Sequence, residues 1–179
     1  VSVGVETDFV TERELDELDA KVEGNLYTAK LIFSSAEKFD FYVNFGQAQD
    51  IEYKATILGR DVKFDLEDEF TWGAGISYVF TSDDDAFQIG LDTKYRQITD
   101  IDYDSVTIDG TTYKKSQLGG KTAAKWKEWQ VALIVGKKFN YFVPYAGVKY
   151  SDVDASAKAI VSGSTYDLGS TDSESKVGI

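Results

Sequence analysis

Three charged residues spaced two apart, Asp92, Lys94 and Arg96 in LDTKYR, have the type and spacing to do chemistry. On a strand they share one face, where they could line an ion-selective pore or pair with charges on neighbouring strands. Glu6 and Asp8, also two apart, form a formal carboxylate pair of the kind used in general acid–base work, although such neighbours in a barrel wall more often serve as ion-pair partners. Asp100, Asp102 and Asp104 open like a calcium loop, but Ser105 stands where its glycine belongs and Thr111 where its last acidic ligand belongs, so a solvated loop is the better reading. Asp83, Asp84 and Asp85 read as a polar turn. The chain has no His, Cys or Met, which removes disulfides, thiolate chemistry and imidazole-based catalysis. We expect no catalytic residues, no metal site and no cofactor.

The elements that carry these residues show a strict two-residue period. In Phe70 to Arg96, Phe70, Trp72, Ala74, Ile76, Tyr78 and Phe80 fall on one parity, and after a short break Phe87, Ile89, Leu91, Thr93 and Tyr95 do the same. This is a β-hairpin. The same alternation predicts strands over 1–9, 25–33, 39–46, 125–137 and 142–150, and a stub at 176–179. The third strand is expected to keep its phase through Ile51, Tyr53, Ala55 and Ile57 to a turn at residues 58–61. Asp109 and Gly110 have the chemistry of a tight hairpin turn in a second projecting loop. The acidic connection TERELDELDAK is read as a solvated loop, with a helical turn or two as the alternative because Leu15 and Leu18 are three apart. Connections then alternate long and short: 10–24, 48–69, 98–124 and 151–172 are long, and 34–38, 81–85 and 138–140 are short. That rhythm predicts an up-and-down meander in one domain, 1–179, with all large loops at one end.

Such a meander closes with its apolar face either inward, as a soluble ligand-binding calyx, or outward, in lipid. The polar parity decides for lipid. It carries Gly4, Gly46, Gly73, Gly75, Gly90, Gly136, Gly147 and Gly178, as a crowded interior requires, together with Glu6, Asp8, Asp40, Asp92 and Glu128 against Lys30, Lys94, Arg96, Lys149 and Lys176. Although the chain has a net charge of −12, this face is balanced, as expected for charges that pair in a narrow lumen. The apolar rows end in aromatics: Phe33, Phe39, Phe80, Phe87 and Phe142 toward the short turns, and Phe9, Tyr27, Trp72, Tyr95, Trp129 and Tyr150 toward the long loops. These predict the two girdles of a membrane barrel. No run approaches the roughly 20 apolar residues of a membrane helix, which leaves strands as the crossing elements.

The strand runs WGAGISYVF (72–80) and VPYAGVKY (143–150) are similar to the glycine-, aromatic- and small-residue strands of small outer-membrane β-barrels of the OmpA and opacity-protein type. The resemblance is one of pattern over nearly the whole length. It implies an all-β, antiparallel up-and-down transmembrane barrel in a bacterial outer membrane, with short turns periplasmic and long loops extracellular. It departs at the end, where such barrels finish on an aromatic and this chain has Val177, Gly178 and Ile179. Eight strands are therefore expected, the last one incomplete, or ten if another hairpin follows. The implied function is a structural or surface-interaction role with a charge-plugged lumen. The alternatives are a narrow porin-like channel and a soluble lipocalin-like barrel. Expected partners are outer-membrane lipid and, at the acidic loops, divalent cations or extracellular partners. The negative charge argues against nucleic acid.

Overall fold

The computed structural model describes residues 1–15, 20–35, 38–57, 59–81, 87–137, 139, 144–161, 164–172 and 177–178. Apart from a four-residue helical turn, α1 (Lys115–Leu118), all regular structure among these residues is strand: β1 (Ser2–Leu15), β2 (Ala20–Ser35), β3 (Phe39–Ile57), β4 (Arg60–Leu66), β5 (Glu69–Val79), β6 (Phe87–Ile101), β7 (Tyr103–Ile108), β8 (Thr111–Lys114), β9 (Lys121–Lys137), β10 (Tyr145–Val161), β11 (Ser164–Asp172) and β12 (Val177–Gly178). Every ladder is antiparallel, so the fold is all-β.

Eight strands form the meander in the order β1-β2-β3-β5-β6-β9-β10-β12. The other four extend its long-connection end: β4 pairs with the outer part of β3 and with β7, β8 with β7, and β11 with the outer part of β10. The β7–β8 turn is the tight one expected, with Asp109 and Gly110 at φ 46° and 81°. Among the described residues β1 pairs only with β2 and β12 only with β10, so no ladder closes the sheet into a ring. The sheet nevertheless curls until Arg13 on β1 reaches Glu128 on β9 and Ser151 on β10.

Two of the expected loops are strand. Most of the 10–24 connection belongs to β1 and β2, with Leu15 and Ala20 only 2% and 1% exposed. The 151–172 connection continues β10 and adds β11. The expected phase of the third strand is also corrected. Ile51 and Ala55 are buried inside the curl instead of following Phe41, Val43 and Phe45 outward.

The cause is a set of one-residue bulges. Register slips between Val10 and Arg13 in β1, at Asp50 in β3 and at Asp100 in β6, each time leaving an extra residue on that strand. One extra residue sends the following even or odd set to the opposite face. Asp50 and Asp100 absorb the kink at φ 52° and 60°, a left-handed conformation that Asp tolerates better than bulky or β-branched residues.

Asp50→Val should therefore be less stable than Asp50→Gly by about 1–2 kcal/mol, read as a lower urea midpoint at unchanged m. Equal midpoints for the two variants would show that the left-handed backbone at residue 50 carries no such constraint.

Candidate functional site

Where the inner faces of β1, β6, β9 and β10 converge, Arg96 and Glu128 are 2% and 1% exposed. Arg96 donates to Glu128 Oε2 from Nε at 3.1 Å and from Nη2, and to Asp8 Oδ2 from Nη1 at 3.0 Å. The second Glu128 oxygen accepts from Arg13 Nη1 at 2.9 Å and from Gln130 Nε2 at 2.8 Å. Arg13 Nη2 continues to the Ser151 carbonyl at 2.9 Å and its hydroxyl at 3.0 Å. Lys149 Nζ stands 3.6 Å from the free side of Asp8.

A second cluster lies on the same face toward the short turns. Glu6 pairs with Lys94 through one oxygen and with Lys30, at 3.4 Å, through the other. Lys30 Nζ also sits 3.5 Å from the centroid of the Tyr42 ring. The Tyr42 hydroxyl donates to Asp92 at 2.8 and 2.9 Å. The ring fits there because it lies over Gly75, where any Cβ would collide with it.

The structure thus joins Glu6, Asp8, Lys30, Lys94, Arg96, Glu128 and Lys149 into ion pairs. Asp92 joins through Tyr42 instead of a cation, Asp40 makes no ion pair among the described residues, and Lys176 lies outside them. Arg13 was missed because the bulge before it turns it inward from what read as a loop. Glu6 and Asp8, both half-buried, each hold two cations, an arrangement that offsets the cost of taking a carboxylate partly out of water. Asp102 accepts from Lys115 at 2.8 Å and from the Tyr103 and Thr122 amides, and no group of three or more acidic residues among those described is placed to hold a metal ion.

On the outer surface Phe9, Trp72, Trp129 and Tyr150 are exposed toward the long-connection end, with Tyr95 half-buried between Trp72 and Trp129 at ring separations of 5.9 and 4.8 Å. Phe33, Phe39, Phe80 and Phe87 are exposed at the other end, where Tyr78 packs against Phe39 and Phe80. Phe142 lies outside the described residues. Between the rows, Val43, Ile76, Leu91, Val131, Leu133 and Val148 all face out.

Past the bulges the polarity reverses. Outside, Lys54 pairs with Glu23 and Glu52 at 2.9 and 3.0 Å, and Lys63 with Glu52 and Asp65 at 3.1 and 2.9 Å. Inside, Leu15, Val22, Leu26, Ala48, Ile51, Ile98 and Ile101 form a buried cluster around a cavity of about 350 Å³. Arg96 also lines that cavity, so the ion pairs and the apolar chamber share a boundary.

Outside the sheet's interior, the Lys115 ammonium bridges Asp102 and Glu67 at 2.8 and 2.7 Å and ties α1 to the sheet. Burial pushes the Asp102 carboxyl up, but Lys115 and the two amides outweigh it and hold Asp102 below the usual aspartate range. No protein-family model, curated protein or solved structure matches this chain.

Glu128→Gln leaves two buried guanidiniums short of a counter-charge and should cost about 3–5 kcal/mol in urea unfolding. A loss under about 1 kcal/mol would mean that the pairs are solvated. The depressed Asp102 value means that the folded state gains from its ionised form. That gain is complete above the ordinary aspartate value of 3.8 and disappears as pH falls through the lowered one. Hydrogen-exchange protection at the Thr122 amide should fall across that window in the native protein and be pH-independent in Asp102→Asn. The same fall in both would place the titration elsewhere.

Proposed function

We propose that this chain is an integral β-barrel of the outer-membrane type, with its lumen plugged by ion pairs and its long, acidic connections serving as a structural or contact surface outside the cell. The observation that carries this reading is the inverted lower half, with ionic side chains inside and a continuous apolar surface outside. Exposed apolar area of that extent marks an interaction or membrane surface.

The dimensions fit a bilayer. From Phe70 to Phe80 is ten residue steps, about 33 Å of strand at roughly 3.3 Å per step. At the usual tilt of about 35–45° this gives a height near 25 Å, which is that of an outer-membrane apolar band. A lipid-facing edge must have its backbone groups paired, so the reading requires β1 to be hydrogen-bonded on both sides in the membrane.

Arg13, Asp8, Arg96 and Glu128 cross the interior and pair there, which favours a plug over an ion-conducting pore. On the acidic outer surface, basic partners or divalent cations are the complementary ligands.

Refolded with detergent or lipid vesicles, the protein should migrate differently before and after boiling on a denaturing gel and should be silent in planar bilayers. Leu133→Arg should cost about 2–4 kcal/mol in vesicles, as for a cation placed near the midplane. A freely soluble monomer in detergent-free buffer would overturn the membrane reading, and steady conductance would overturn the plug.

A further inference from the structure

The half-open apolar cavity above the ion pairs has no part in a structural barrel. It is a pocket lined by residues of β1, β2, β3, β4, β6, β9, β10 and β11, with Ala48 fully buried in its wall. Aromatic rings of Tyr53, Phe64 and Trp126 contribute to the lining beside aliphatic residues. At about 350 Å³ it exceeds twice the roughly 150 Å³ cavity that accepts benzene, and it falls in the range of about 300–1,000 Å³ used for small molecules.

We infer that this chamber is a binding site for a small uncharged apolar molecule, of the class of a two-ring arene or a medium-length alkyl chain. Its occupant is neutral because of what lies at its boundary. Among the described residues Arg96 is the one buried charged residue in the lining, and each of its guanidinium nitrogens is already bonded to Glu128 or Asp8. A carboxylate entering to that depth would find no free cation and would lose its hydration. The remaining charged lining residues, Glu23 and Lys125, are more exposed. The scarcity of polar partners along most of the wall makes it a poor site for ordered water.

The chamber is built by the projecting half of the strands, so its ligand is independent of whether the lower half lies in lipid. The heating-dependent gel shift tests the membrane reading, and ligand binding tests this one.

The direct test is titration of the full chain, in lipid nanodiscs or, should it prove freely soluble, in detergent-free buffer, with naphthalene, followed by methyl NMR. The Ala48, Ile51 and Ile98 methyls should show saturable shifts, while outward methyls of Val131 and Leu133 should respond only linearly as the hydrocarbon partitions into lipid. Ala48→Phe should weaken the saturable response at least tenfold while preserving the gel shift. Ile98→Phe, which fills the chamber from another strand, decides the matter if the first variant fails to fold. Decanoate should give no saturable shift. Linear responses at the inward methyls, saturation unchanged in a folded filled variant, or saturation by decanoate with none by naphthalene would each overturn the inference.

Discussion

A strand points successive side chains to opposite faces, so a single extra residue exchanges the two faces from that point on. The architecture of this molecule depends on that constraint. Below the bulges at 10–13, 50 and 100, apolar side chains face out and charges face in. Above them the arrangement is the reverse. In β9 and β10 no bulge is needed, because the residues themselves change: the outward row passes from Val131 and Trp129 to Lys127 and Lys125, and from Val148 and Tyr150 to Asp152 and Asp154. Both devices reach the same boundary, which coincides with the row of Phe9, Trp72, Tyr95, Trp129 and Tyr150.

The ion pairs make the inverted lower half possible. A charge inside a narrow curl is costly unless it is paired, and removing one partner costs more than the pair contributes. Arg96 and Glu128 therefore act less as a source of stability than as a demand on register, since a one-residue slip in β6 would turn Lys94 and Arg96 outward among the apolar rows. The same cluster ends where Arg96 meets the apolar chamber. Two interiors that would suit two different barrels, one ionic and one oily, are stacked in a single sheet.

Much of this was legible in the residues. Clean alternation identified the strands on either side of the short connections, the inward charges Glu6, Asp8, Lys94, Arg96 and Glu128, and the outward aromatics. The Asp109-Gly110 turn was legible because its backbone needs φ > 0 at both positions. What parity could not show is where parity breaks. Asp50 and Asp100 look like ordinary polar strand or loop residues until their φ is known, and so Ile51 and Ala55 were assigned to the wrong face and Arg13 to a loop. The projecting strands were hidden for a related reason: their solvent faces are charged, and charge near a strand end reads as a loop.

The absence of cysteine from the chain makes the central claim, a change of medium at the bulges, directly measurable by single-cysteine spin labelling along β3 in lipid vesicles. Labels at 41, 43 and 45 should be relaxed by oxygen and shielded from a water-soluble paramagnet, whereas labels at 52, 54 and 56, beyond Asp50, should be relaxed by the water-soluble agent. Water-soluble relaxation at 41, 43 and 45 equal to that at 52, 54 and 56 would contradict the account, because both halves of the strand would then face the same solvent.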